Sequence, residues 1–106
     1  MPTACAPAAQ TAQRLTIGRP EYEVHHLVEK RFYDVPGISV FKEKPDKAPS
    51  VILKKDVHKG YTGRARAEFK YGTIYSDLDH KEVLNFYKAE YGGNKDWLDL
   101  VYCCFE

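Results

Sequence analysis

Residues 47–63 read KAPSVILKKDVHKGYTG, an apolar run at 51–53 that passes without a break into a cationic stretch holding Gly60 and Gly63. Val51, Ile52 and Leu53 suit a short strand. The Lys-rich continuation suits a loop, its backbone freed by two glycines and its side chains offering charge and the flat ring of Tyr61. A returning strand is expected over residues 67–75, where Phe69, Tyr71, Thr73 and Tyr75 alternate onto one face and Gly72 marks a bulge or a close backbone approach. Residues 51–55 and 67–75 then make an antiparallel hairpin with a long basic loop. Such a loop holds no recognisable catalytic group, which points towards binding.

Upstream, residues 1–19 have the Ala, Thr, Gln and Pro content of a flexible arm and lack the charged and Leu-rich regions of a secretory signal. From Pro20 the spacing of Val24, Leu27, Val28, Phe32 and Val35 predicts a helix with Pro20 in its first turn, stopping at Val35-Pro36-Gly37. A strand over residues 22–33 is the alternative, because Tyr22, Val24, Val28 and Phe32 also fall on one face at period two. Residues 38–41 read as a short strand, and KEKPDKAP at 42–49 as a charged, proline-bounded connection. Downstream, Ser76 or Asp77 caps a helix running to Tyr91, with Val83, Leu84, Phe86, Tyr87 and Tyr91 as its apolar stripe and Gly92-Gly93 as its stop. Residues 97–105 read as a strand apolar on both faces, either central in a covered sheet or completed by another chain. The fold class expected is α+β: a small antiparallel sheet, hairpin plus C-terminal strand, packed on one or two helices within a single domain spanning residues 20–106.

The net charge of +1 conceals a polarity along the chain. Residues 54–70 hold six Lys or Arg against Asp56 and Glu68, a local +4, whereas residues 76–106 hold seven acids against three bases, a local −4. The basic segment suits an acidic partner: nucleic acid, a cofactor carboxylate or another protein. Cys5, Cys103 and Cys104 form no disulfide framework and no zinc motif, so a reducing compartment is the default. No apolar run approaches the roughly 20 residues of a membrane span. His25 and His26, being adjacent, cannot both face one metal, and with His58 and His80 scattered in sequence the four read as exposed or satisfied histidines. Asp77, Asp79 and His80 fit the start of a helix, where carboxylates satisfy unpaired N–H groups. Gly60 and Gly63 have the spacing of a nucleic-acid clamp without its two flanking helices.

The order Lys47-Ala48-Pro49, Val51-Ile52, Asp56, His58, Lys59-Gly60 and Tyr61-Thr62-Gly63, then a second strand and a helix starting near Ser76, resembles the α subunit of cryptophyte-algal phycobiliproteins. The resemblance covers residues 47–91, with one residue inserted near Ser50. That family attaches its bilin at a Cys after the turn glycine, and here Gly60 is followed by Tyr61. The resemblance therefore implies a relative with no covalent pigment, a plastid, thylakoid-associated scaffold that packs against phycobiliprotein subunits and contacts a bilin carried by a partner. The function expected is that of a non-catalytic binding protein, with Lys54, Lys55, His58, Lys59, Tyr61, Arg64, Arg66, Phe69 and Tyr71 as its contact surface. The alternative is a soluble, intracellular module for single-stranded nucleic acid that uses the same basic and aromatic residues to track phosphates and stack bases.

Overall fold

A computed structural model describes residues 15–70 and 72–106. Strands β1 (Tyr22–His26) and β2 (Ser50–Lys54) pair antiparallel, and helices α1 (Lys55–Glu68), α2 (His80–Glu90) and α3 (Lys95–Tyr102) follow in order. The class is α+β, with a two-stranded sheet packed against helix. The register sets Tyr22 opposite Lys54, Val24 opposite Ile52 and His26 opposite Ser50. Side chains of a strand alternate between faces, so Glu23 and His25 share the face beneath α1 while Tyr22, Val24 and His26 share the other.

The expected elements differ in three regions of the chain. The first is the helix from Pro20, which is β1 instead, followed by a loop closed by a 3-10 turn at Lys30–Asp34. The residues spaced for a helix are still buried. Leu27, Val28, Phe32 and Val35 are fully covered because the loop folds over the core rather than presenting a helical stripe to it. No strand forms at residues 38–41 either; a turn bond from Lys42 N–H to Ser39 C=O closes that segment, and Ile38 points into the core.

The second difference is the hairpin. Residues 55–68 are a helix, not a loop, and β2 enters it with no residue between, Lys54 serving as the N-cap. His58, Tyr61, Ala65 and Phe69 recur at three- and four-residue intervals down one side, with Ala65 and Phe69 buried. Gly60 and Gly63 hid this period, since each glycine disfavours a helix by about 1 kcal/mol relative to alanine. Ala67 and Glu68 therefore finish α1 instead of starting a strand, and Phe69 N–H closes the helix on Ala65 C=O at 2.9 Å. Tyr71 lies outside the described residues, as does most of the arm expected at residues 1–19.

The third is the C-terminal strand, which is α3. Asn94 caps it by accepting a hydrogen bond from Trp97 N–H at 3.1 Å, and Leu100, Val101 and Cys104 turn into the core. A helix with a wide apolar stripe reads as apolar on both faces when scanned at period two. Its apolar side is covered within the chain. Helix α2 ends as expected beside Tyr91 but starts later: Tyr75–Asp77 form a separate 3-10 turn, and Asp79, not Ser76 or Asp77, is the cap, accepting from Lys81 N–H at 2.9 Å. Among the cysteines, Cys103 is disulfide-bonded, against the thiol-only expectation, and Cys104 is a buried free thiol whose pKa is pushed up to about 12 by desolvation.

One core gathers these pieces. Phe32 sits at its centre, edge-on to the rings of Phe69 at 5.1 Å, Tyr75 at 5.6 Å and Tyr87 at 6.0 Å. Arg31 lies over the Phe32 ring at 4.8 Å and donates to Phe69 C=O and Tyr75 Oη, tying the end of α1 to the turn at Tyr75–Asp77. Glu106 N–H donates to Gly37 C=O at 2.9 Å, where a φ of 93° favours glycine. Ile38→Ala is expected to lower unfolding free energy by about 2–5 kcal/mol, whereas Ile74→Ala, at a 64% exposed position, changes it by less than about 0.5 kcal/mol. Urea titration of the two variants checks the contrast.

Candidate functional site

The junction of β1, β2 and α1 brings together histidines that lie far apart in sequence. His25 on β1 and His58 in the first turn of α1 stand with ring centroids 5.2 Å apart. His26, at the end of β1, lines the same open cavity of about 320 Å³ together with Val24, Glu29 and Lys30. Adjacent strand residues face opposite ways, yet at the last position of β1 His26 reaches the cavity mouth while His25 forms its floor.

Each imidazole has one nitrogen engaged. Tyr91 Oη is 2.9 Å from Leu27 C=O and 2.7 Å from His25 Nε2. The tyrosine has a single proton, which the carbonyl takes, so its oxygen accepts from His25 Nε2–H and leaves the lone pair on His25 Nδ1. Glu23 Oε2 lies 3.3 Å from His58 Nδ1. A carboxylate there holds the proton on Nδ1 and leaves the lone pair on Nε2, as an outer partner does for a ligating histidine. His26 carries a hydrogen bond to the Pro45 backbone.

The ring of His25 is 2% exposed and enclosed by aromatic groups: Tyr61 stacked at 5.1 Å, Tyr91 edge-on at 6.2 Å and Trp97 at 6.4 Å. Burial lowers its pKa to about 3, with His58 and His26 adding to the effect. Burial also lowers His26 to about 4, with Lys30 adding and Asp46 opposing. Both rings are therefore neutral at physiological pH, the form that binds a metal or accepts a proton.

The residues expected to form a contact surface divide. Lys54, Lys55, Lys59 and Arg66 are exposed along α1 and its cap. His58 faces the cavity. Tyr61 stacks on His25 instead of standing at a loop tip, Arg64 pairs with Glu90 at 2.7 Å and covers the Tyr61 ring, and Phe69 is buried in the core. These three hold the fold and the site together, because a ring or guanidinium committed to buried neighbours is not offered to a ligand. Sequence reasoning missed the His25–His58 pairing, along with Glu23 and Tyr91. The signal present was a His-His pair closing one strand and a single His four residues past the next, legible only once the segment after β2 is taken as a helix.

Comparison with protein-family models, with curated proteins and with solved structures finds no match for this chain. Among the described residues no helix is long and apolar enough to cross a membrane.

The buried histidines make stability depend on pH. In the unfolded chain an imidazole titrates near 6.5, whereas His25 and His26 in the fold take up protons only near 3 and 4. Below about pH 6.5 the unfolded state binds more protons, so stability falls as pH drops, until the folded pKa values are reached. The melting temperature is expected to be flat above pH 7 and to fall between about pH 6.5 and 4, with His26→Asn making that fall shallower.

Proposed function

We propose that this protein hydrolyses phosphodiester bonds in nucleic acid with the help of a divalent metal ion held by His25 and His58. The carrying observation is the convergence of imidazoles from β1 and α1, each with one ring nitrogen engaged, beside a helix that exposes Lys55, Lys59 and Arg66. Among the described residues no group of three His, Cys, Asp or Glu is placed to hold a metal ion. The proposed ion would therefore rest on two imidazoles, with its other positions filled by water and by the substrate's phosphate oxygens. Glu23, already on His58 Nδ1, fixes the orientation of that ring.

The chain's own residues divide the remaining work. His25, clamped by Tyr91 and walled by Tyr61 and Trp97, is a fixed donor in a dry floor. His26 is half-exposed and lines the same cavity, and in this reading it is the group that takes the proton of the attacking water. As the new P–O bond forms, the water gives its proton to His26 and the leaving oxygen takes one from solvent. A divalent ion, when bound, polarises the phosphoryl oxygen and offsets the charge that builds on it. Lys54, Lys55 and Lys59 lie along α1 and its cap, where they hold the polyanion by charge.

The scaffold role implied by the phycobiliprotein resemblance needs a basic hairpin loop and a two-faced C-terminal strand, and those segments are the helices α1 and α3. The nucleic-acid expectation keeps its cationic residues and gains a reactive centre next to them.

Incubating the protein with DNA and with RNA in Mg²⁺, Mn²⁺, Ni²⁺ or Zn²⁺ is expected to give cleavage that EDTA abolishes. His26→Ala should lower the cleavage rate by about 10²- to 10⁴-fold and His58→Ala by at least as much, while Glu23→Gln lowers rate or metal affinity by about 10- to 100-fold. His58→Ala should keep its circular dichroism spectrum. Binding of nucleic acid without cleavage under every metal condition would leave a binding module in place of the hydrolase.

A further inference from the structure

A second cavity shares His58 with the first. It has a volume of about 340 Å³ and is lined by Glu23, His58, Lys59, Thr62, Gly63 and Arg66. Four of these residues, Lys59, Thr62, Gly63 and Arg66, lie on α1 beyond His58, so the groove adjoins the imidazole site and follows that helix. Its charge is cationic in balance: Lys59 and Arg66 line it, and the Glu23 carboxylate is occupied by His58.

Gly63 forms part of the wall. Its φ is not positive, and a Cβ placed on it would meet nothing within 4 Å, so a side chain could be added there without disturbing the fold. As it stands the bare backbone leaves the groove open to close approach by another molecule. The neighbouring groups say what. A cation at Lys59, a hydroxyl at Thr62 and a second cation at Arg66, spaced along one helical face, suit phosphate oxygens. The described aromatic rings of the region are committed to His25 and the core, so no base-stacking platform stands beside the groove.

We infer that this groove seats a backbone phosphate of the nucleic-acid strand next to the bond being cut, so that the chain is held by its backbone without reading its bases. This rests on the hydrolase reading above and adds the strand's path to it.

Gly63→Ala, Gly63→Leu and Lys59→Gln test it against wild type. The readouts are melting temperature, binding of a fluorescein-labelled oligonucleotide in EDTA at several salt concentrations, and cleavage in the activating metal. Gly63→Ala should raise the melting temperature by about 4 °C. Gly63→Leu should melt no lower than wild type, yet bind about tenfold more weakly for every oligonucleotide sequence. Lys59→Gln should reduce the slope of log affinity against log salt by about one. Wild-type affinity and cleavage in Gly63→Leu would overturn the groove and leave the hydrolase standing, whatever the salt slope of Lys59→Gln. Failure of the wild-type protein to bind any oligonucleotide would overturn both.

Discussion

The hydroxyl of Tyr91 is the point on which the arrangement turns. One O–H serves Leu27 C=O at 2.9 Å and the same oxygen takes His25 Nε2–H at 2.7 Å, so the end of α2 fixes both the backbone leaving β1 and the tautomer of the ring on it. One turn earlier Tyr87 Oη accepts from Glu29 N–H at 3.0 Å, with the two tyrosine rings stacked at 5.5 Å. Together they satisfy backbone groups that a buried loop would otherwise leave unpaired, each at a cost of about 1–3 kcal/mol. Burial raises the pKa of both phenols, so they stay protonated wherever the protein is folded. The loop at residues 27–38 can then drop into the core without a regular element of its own, and its apolar side chains supply much of that core.

Helix α1 has a different character from the rest. It buries little, carries two interior glycines, and is fixed chiefly through its first turns against β1 and its end against Phe32 and Arg31. The opposing charge of the C-terminal third bears on this. Glu90 draws Arg64 over Tyr61, which stacks in turn on His25, so one ion pair between α1 and α2 braces the buried imidazole. Only part of the local cationic excess is neutralised in this way, and Lys54, Lys55 and Lys59 stay exposed. The charge polarity along the chain thus becomes a division of labour in space: some charges join helices, others face outward.

Sequence reading succeeded where one period dominated and failed where two competed. Helix α2 carries an unmixed 3.6-residue stripe and a terminating Gly92-Gly93, and it was legible except at its start, where Asp79 caps it in place of Ser76 or Asp77. Residues 51–54 were legible as strand because Val, Ile and Leu are contiguous there. Residues 22–35 satisfied both periods, and pairing with β2 decided between them, which is a tertiary fact. Residues 55–68 were misread because Gly60 and Gly63 are ordinarily loop signals. Residues 97–105 were misread because a short helix with a broad apolar side passes for a covered strand. The candidate site suffered from the same error: with α1 taken as a loop, His58 had no fixed relation to His25. The cationic residues, which depend on composition alone, were recognised; Glu23 and Tyr91, which act only through contacts distant in sequence, were not.

The His25–Tyr91 contact spans 66 positions. Chain closure over such a distance comes late in folding, after local turns and helices are in place. During synthesis His25, His26 and His58 leave the ribosome well ahead of Tyr91, which orients the first of them, and of Trp97, which walls it. A growing chain therefore holds these imidazoles but not their geometry, and on the proposed hydrolase reading competence would come only with the helices that follow.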